Sequence, residues 1–371
     1  MMEKLSRILW SLLALFFITS CVDPIDPEPE PEPEPVPEVP PVLVQTAPEN
    51  TEFRKIAYFP YYRDFTKKSI PDSVYQMLDI ACYAFAAYTE EGVAKLKAGI
   101  SDISVLVSRC KANNVEVVLS YNVPSELRAD YKEMLQSAEK RAKFVKSLKE
   151  IVDKYNLAGV DNDMEYPSKG DGSHLGNLYL MTDLSNWLHD PKVNKYLTMS
   201  ITSGKYPGNI RDGIVDELLP CVDWLNIMIY DDYSESKPGI NHSSMDFYHV
   251  CFNYWVNVRK FPKNKLTIGM PCYGRPSGLE QSGRVLGFED IIKQGGNPDE
   301  NEATVTSSKY PDSPFKIYYN GRPIIREKVN HALDNEMGGY FFWEAGDDYC
   351  TTDASLIRTA YKEYEKRKNS N

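Results

Sequence analysis

From residue 53 onward, eight short apolar runs alternate with longer amphipathic stretches, and this alternation constrains the fold more than any other feature of the chain. The runs fall at 55–61, 80–87, 115–121, 159–165, 196–202, 224–230, 265–272 and 339–343. Helical periodicity is clearest at 103–113, 139–155, 176–189 and 248–259. Buried apolar strands that alternate with helices imply a parallel sheet. Eight such units predict an α/β fold, a (β/α)8 TIM barrel, whose usual size is about 250 residues before insertions. An open doubly wound sheet is the alternative, but no Gly-rich phosphate fingerprint follows the first strand. Between the last two strands, residues 287–295 and 325–335 are expected to supply the seventh helix and the eighth crossover. That leaves no room for a full insertion domain and predicts a shallow or open cleft.

The N-terminal part reads differently. Lys4 and Arg7 precede an apolar run at 8–18 that is too short to span a bilayer. It ends in Ile18-Thr19-Ser20-Cys21, which resembles a bacterial lipobox. Residues 1–21 are therefore expected to be a lipoprotein signal peptide with Cys21 as the lipidation site; an ordinary signal peptide or an uncleaved anchor is the alternative. Residues 22–48 hold ten of the 25 prolines, including a run of alternating Pro and Glu. Proline removes the backbone donor, so helix and sheet are both excluded, and the glutamates repel. Residues 22–50 are expected to be a disordered linker. Its proline-rich part would reach on the order of 55 Å as polyproline II. The acidic stretch after the cysteine resembles the surface-export signals of Bacteroidetes lipoproteins. The expected location is an exported lipoprotein, at the outer membrane or cell surface, whose one membrane contact is its lipid. Residues 51–371 are left as the barrel.

The formal charge is −11, but residues 22–50 carry eight acids and no base, so the barrel region is only mildly acidic. Nucleic-acid binding needs a basic footprint and is not expected. The six cysteines beyond Cys21 show no C-x-x-C, and the five histidines show no ligand spacing, so neither a metal nor another cofactor is implied.

In a barrel of this kind function sits at the C-terminal ends of the strands. Polar and aromatic residues gather there: Tyr58 to Tyr62, Ser120 to Asn122, Asp161 to Tyr166, Met228 to Tyr233, Tyr273 to Arg275, and Trp343. Asp161, Asp163 and Glu165 stand at i, i+2 and i+4, which puts them on one face of a strand. Crowded carboxylates cannot all ionise cheaply, so a proton is retained near neutrality. A positioned carboxyl that keeps its proton is what a general acid requires. A metal site or a solvated acidic turn is the competing reading. Asn162 and Met164 then face the helix layer. Tyr61, Tyr62, Tyr121, Tyr166, Tyr233 and Tyr349 are either stacking residues for a ligand or rim aromatics without one.

The run Ala158-Gly159-Val160-Asp161-Asn162-Asp163-Met164-Glu165-Tyr166-Pro167 resembles the D-G-x-D-x-D-x-E strand of glycoside hydrolase family 18, the chitinases and endo-β-N-acetylglucosaminidases, with Ala158 in place of the first acid. Further motifs recur in order. Tyr83-Ala84-Phe85-Ala86 resembles the second strand, and Leu119-Ser120 opens an S-x-G-G strand in which Tyr121-Asn122-Val123 replaces the rest. Met228-Ile229-Tyr230-Asp231 matches M-x-Y-D, Pro271 to Arg275 match P-x-Y-G-R, and Gly338-Gly339 with Trp343 match the last strand.

The resemblance implies hydrolysis of β-1,4 N-acetylglucosaminide linkages, retaining and assisted by the substrate's own acetamido group. It implies Glu165 as acid and then base, Asp163 on the acetamido N–H, Asp161 sharing a proton with Asp163, and Tyr230 on the acetamido oxygen. Trp343 would be the floor under the sugar. Asp231, Arg275, Met228 and Tyr166 would contact substrate or balance charge, and Tyr58 and Ser120 would bond the inner acids. The implied partner is an N-acetylglucosamine-containing glycan, chitin oligosaccharide or N-glycan core, bound by a monomer. A chitinase-like, endo-acting hydrolase is the leading expectation. An endo-β-N-acetylglucosaminidase on N-glycans, and a non-catalytic surface glycan-binding protein on the same fold, are the alternatives.

Overall fold

The computed structural model describes residues 39–66 and 68–370. The expected signal peptide, Cys21 and most of the expected linker lie outside the described residues. Among the described residues no helix is long and apolar enough to cross a membrane.

The barrel strands are β1 (Arg54–Pro60), β2 (Ile80–Tyr88), β3 (Glu116–Asn122), β4 (Gly159–Asn162), β5 (Tyr196–Ile201), β6 (Trp224–Ile227), β7 (Leu266–Pro271) and β8 (Gly339–Trp343). Each pairs in parallel with the next, and β8 closes on β1 through pairs such as Ile56 with Phe341. The result is the (β/α)8 barrel expected from the alternation. Side-chain parity sorts every strand. Ile56, Tyr58, Ile80, Cys82, Val118, Trp224 and Phe341 fill the inside, while Ala57, Phe59, Tyr83, Leu119, Val160, Leu197, Met199, Leu225 and Phe342 face the helix layer.

The principal helices of that layer are α1 (Ile103–Ala112), α2 (Arg128–Leu135), α3 (Ala138–Tyr155), α4 (Ser173–Leu188), α5 (Met245–Phe252), α6 (Phe288–Lys293), α7 (Arg322–Asp334) and α8 (Leu356–Lys368). Their starts carry the expected chemistry. Asp102, Ser137, Ser244 and Ser355 accept from backbone N–H groups of the first turns of α1, α3, α5 and α8. Asn156 closes α3 in the left-handed region at φ 49°. Arg141, Phe144, Leu148 and Val152 of α3 recur every three or four residues and are the buried stripe.

Three sequence expectations are corrected. Strands four and six stop at Asn162 and Ile227 rather than at 165 and 230. Asp163 N–H still donates to Tyr121 O at 3.0 Å, but Met164 N–H turns to Asn162 Oδ1, so the chain leaves the ladder by an Asx turn. The helix expected at 248–259 is α5 followed by a π-helical segment, Asn253–Val258. The segment at 287–295 is not the seventh barrel helix. The six-residue α6 buries only Phe288 and Ile291, too little to cover a strand. It belongs to an excursion between β7 and α7 that adds a short pairing of Leu286–Gly287 with Tyr273–Gly274 and a hairpin, Glu302–Ser307 with Tyr310–Tyr318. Helix α7, which buries Ile325, Val329 and Ala332, takes the seventh place, and α8 follows the last strand.

Residues 42–47, at the C-terminal side of the expected linker, lie against α4. Asn186 Oδ1 accepts from Val44 N–H at 2.7 Å and Gln45 N–H at 3.0 Å, and Asn186 Nδ2 donates to Val42 O. Ser185 Oγ donates to Gln45 O, and Ala47 N–H donates to Pro220 O. These contacts sit beside the start of β6, at the pole opposite the C-terminal ends of the strands.

Candidate active site

At those C-terminal ends lies a cleft of about 640 Å³. Its floor begins inside the barrel, where Asp161 is fully buried and accepts four hydrogen bonds. Tyr58 Oη and Ser120 Oγ donate to Oδ2 at 2.9 and 2.8 Å; Thr198 Oγ1 and Asn226 Nδ2 donate to Oδ1 at 2.6 and 3.3 Å. Asn226 is held in that orientation because its Oδ1 accepts from Thr267 Oγ1 and Trp224 Nε1. Burial pushes the Asp161 carboxyl up, and the four donors pull against it.

Asp163 stands one step outward. Burial, then the neighbouring Glu165, then Asp161 push its carboxyl well above the carboxylate range, with Ser200 opposing. That environment favours its protonated form. Glu165 is open to the cleft on one side and walled by protein on the other. That wall raises it, the nearby Asp231 adds to the rise, and Tyr166 and Arg128 oppose it. The three acids thus form a graded row, from fully buried and hydrogen-bonded to solvent-facing.

Around the row stand the aromatics. Trp343 stacks on Phe85 at 5.7 Å between centroids and leans on Tyr58 at 5.5 Å. Tyr230 packs edge-on against Tyr273 and Phe341. Its room comes from Gly269 of β7, where an added Cβ would lie 2.9 Å from Tyr230 Cε1 and 2.7 Å from Ile227 O. The Tyr230 hydroxyl makes no hydrogen bond to a protein group among the described residues, so it is available to a ligand. Three non-proline cis peptide bonds, Ala84–Phe85, Glu165–Tyr166 and Trp343–Glu344, lie at the same end of the barrel.

Asp231, in the left-handed region at φ 67°, is the hub of a second cluster. Tyr273 Oη donates to its Oδ1 at 2.6 Å, and Arg275 grips both oxygens, with Nη2 to Oδ2 at 3.0 Å. Burial would raise this carboxyl, but His242 and Arg275 together hold it far below the usual range. The buried His242 accepts from Asp231 N–H through Nδ1 and faces Tyr273 O with Nε2, and burial lowers its basicity. Those contacts suit the neutral Nε2–H tautomer.

The structure brings Tyr58, Asp163, Glu165, Tyr166, Met228, Tyr230, Asp231, Arg275 and Trp343 to one cleft, with Asp161 and Ser120 directly beneath. Of the six tyrosines, Tyr62 and Tyr166 line it. Tyr121 does not. It has the opposite parity to Ser120, is fully buried among the helices, and sits edge-on to Phe144 at 5.2 Å. Tyr61 and Tyr349 pack on the outer core, and Tyr233 flanks Arg275 outside the cleft lining. Asn162 and Met164 face the helices, Asn162 Nδ2 donating to Asn177 Oδ1 at 2.9 Å.

Sequence reasoning missed Thr198, Ser200 and Asn226. The signal was present: Leu197-Thr198-Met199-Ser200-Ile201 alternates polar with apolar, which marks Thr198 and Ser200 as inward in a strand whose outer face is the apolar one. Tyr206 and Phe247 also line the cleft, carried in by loops and helix starts that no spacing rule announces.

The sequence pattern of Glycosyl hydrolases family 18 matches residues 54–348. Class V chitinase CHIT5 of Lotus japonicus is 24% identical over 351 residues, 83% of this chain and 86% of that one. The GH18 chitinase ChiB from the chitin utilization locus of Flavobacterium johnsoniae superposes with a TM-score of 0.70 at 26% identity, covering 85% of this chain and 95% of that one. A GH18 chitinase of Cycas revoluta, solved in complex with (GlcNAc)3, gives 0.69 at 20% identity, covering 84% and 99%. With the match spanning every strand of the barrel and the whole acidic row, this chain belongs to glycosyl hydrolase family 18.

Proposed function

We propose that the protein hydrolyses β-1,4 N-acetylglucosaminide linkages, in the manner of an endo-acting chitinase, by a retaining mechanism in which the substrate supplies the nucleophile. The observation that carries this reading is the graded row Asp161, Asp163, Glu165 beneath a free Tyr230 hydroxyl and beside Trp343. An acid open to the cleft and raised by burial, standing above two inner acids that are themselves buried, suits a substrate that supplies its own nucleophile.

In this reading the sugar rests on Trp343 and its acetamido oxygen accepts from Tyr230. Glu165 gives its proton to the glycosidic oxygen as the bond to C1 breaks. The acetamido oxygen bonds to C1, and the positive charge spreads onto the acetamido nitrogen. Asp163, rotated toward that N–H, accepts from it, and its own proton passes inward toward Asp161, whose four donors favour its anion against the effect of burial. Water then attacks C1, Glu165 takes a proton from it, and the acetamido group and both inner acids return to their starting states. Asp231 and Arg275 hold the far wall, and the ionised Asp231 keeps Glu165 from losing its proton early.

The reading extends to location. The lipobox cysteine and the acidic linker support an exported lipoprotein held at a membrane face by its lipid, with a single chain as the working unit. The test is product mass spectrometry on chito-oligosaccharides and on high-mannose and complex N-glycopeptides, with wild type and Glu165→Gln. Shortened chito-oligomers from wild type alone support the reading. Glycopeptides cut to one GlcNAc move the protein to the N-glycan enzymes, and retention without cleavage makes it a glycan-binding protein.

A further inference from the structure

Beside Glu165 the cleft opens into a side chamber of about 210 Å³, lined by Val123, Arg128, Lys132, Glu165, Tyr166 and Asp171 among others. Val123, Arg128, Glu165 and Tyr166 belong to both spaces, so the chamber is continuous with the cleft at the general acid. Three cations line the two spaces. Arg275 is neutralised by Asp231, and Lys132 by Asp171. The Arg128 side chain makes no ion pair or hydrogen bond among the described residues; Glu165 is the carboxyl within its electrostatic reach, and Arg128 is exposed to the cleft at the point where both spaces meet. Next to it Asn122 lines the cleft with a buried Oδ1 that no protein group satisfies. Asn122 and Val123 stand where the family's strand pattern has two glycines, so this wall carries side chains that the pattern lacks.

We propose that the substrate carries a carboxylate on or next to the sugar at the scissile bond, seated in this chamber against Arg128. The inference rests on the hydrolase reading above. A guanidinium offers the planar, two-pronged donor that a carboxylate fits. The acids of the chamber leave it available: Asp171 is already paired with Lys132, and burial raises the Glu165 carboxyl, which favours its neutral form. Two sources supply this chemistry: a lactyl ether on the neighbouring hexosamine, or an acidic sugar on a short branch.

The experiment compares kcat/KM on chitotetraose, on a peptide-free oligomer of alternating N-acetylglucosamine and its 3-O-lactyl derivative, and on a sialylated N-glycopeptide. Wild type, Arg128→Gln and Arg128→Lys are each assayed at their own pH optimum, because Arg128 also acts on Glu165. The expected result is a loss in Arg128→Gln at least tenfold larger on one of the acidic substrates than on chitotetraose, partly restored by lysine, with the acidic substrate alone weakening as salt rises. Whichever acidic substrate shows the effect names the source. Equal loss on all substrates, or no change in the ratio, overturns the proposal. If wild type cuts nothing, the hydrolase reading has failed, and calorimetry still decides this one. Tighter binding of an acidic oligomer to Glu165→Gln, erased by adding Arg128→Gln, supports it, and equal binding of neutral and acidic oligomers overturns it.

Discussion

Tyr58 and Asp161 lie 103 residues apart in the chain and meet inside the barrel, Tyr58 Oη donating to Asp161 Oδ2 at 2.9 Å. The same phenol accepts from Asn226 Nδ2 at 2.9 Å and touches Ser200 Oγ at 3.1 Å, so one hydroxyl joins three strands to the innermost acid. Tyr58→Phe removes the donor and leaves Asn226 with one partner fewer. We expect a stability loss of about 1–3 kcal/mol, as for a buried group left unpaired. Turnover should fall as well, because an Asp161 with three donors is a poorer resting anion. Thermal unfolding and single-turnover kinetics of the variant measure the two effects.

Glu165→Gln should lower turnover by about 10²–10⁴, the range of a lost general acid and base, while oligosaccharide binding stays near wild type. Asp163→Asn should impair turnover severely for a different reason, since an amide cannot pass a proton inward. Product mass spectrometry beside calorimetry separates chemistry from binding.

The raised carboxyl of Asp163 has a thermodynamic consequence. A folded-state pKa above the unfolded one means that the folded chain holds more protons. Its contribution is whole below about pH 4, the unfolded value, and is lost as pH rises toward the folded value. Asp163→Asn should therefore gain stability relative to wild type as pH increases from 4 to 8. A melting-temperature difference that stays flat across that range would contradict the assignment.

Glu344, buried and adjacent to Trp343, accepts from Arg63 Nε at 2.7 Å and from Gly346 N–H at 2.7 Å. Burial, then Asp347, push it up to about 8, with Arg63 opposing. Its contribution is whole below about pH 4.5 and is lost as pH rises through about 8. Arg63→Met should leave that carboxyl without its cation, lower the melting temperature by several degrees at pH 8, and do less at pH 5. Trp343 fluorescence should report the loosening at the higher pH.

Asn186→Ala should release residues 42–47, which it holds through three hydrogen bonds. The barrel should keep its activity and lose about 1 kcal/mol of stability. Limited proteolysis should newly cut near residue 45, and an unchanged digestion pattern would count against the clamp.

The residues themselves show which parts of this molecule were legible. β1 to β3, β5, β7 and β8 could be read almost to their ends because each is a short run, buried on both faces, whose outward positions are apolar. β4 and β6 could not: Asn162 begins a turn whose hydrogen bond no hydropathy pattern encodes, and past Ile227 the chain keeps one bond to its neighbour, Met228 N–H to Ile201 O, before leaving the sheet within an apolar run. The acidic row was visible because period two survives into the first residues past the strand. Tyr121 was misplaced for the same physics ignored: one residue from Ser120, it must face the other way. Helix α6 looked like a barrel helix because apolar spacing reports amphipathicity and not the partner that covers it. Asn122 and Arg128 carried no local signal, since their significance lies in what fails to pair with them.

The clamp at residues 42–47 lies beside Pro220 and the end of α4, at the pole away from Glu165 and Trp343. Loosening it there leaves the mouth of the barrel untouched, so grip and chemistry can be altered one without the other.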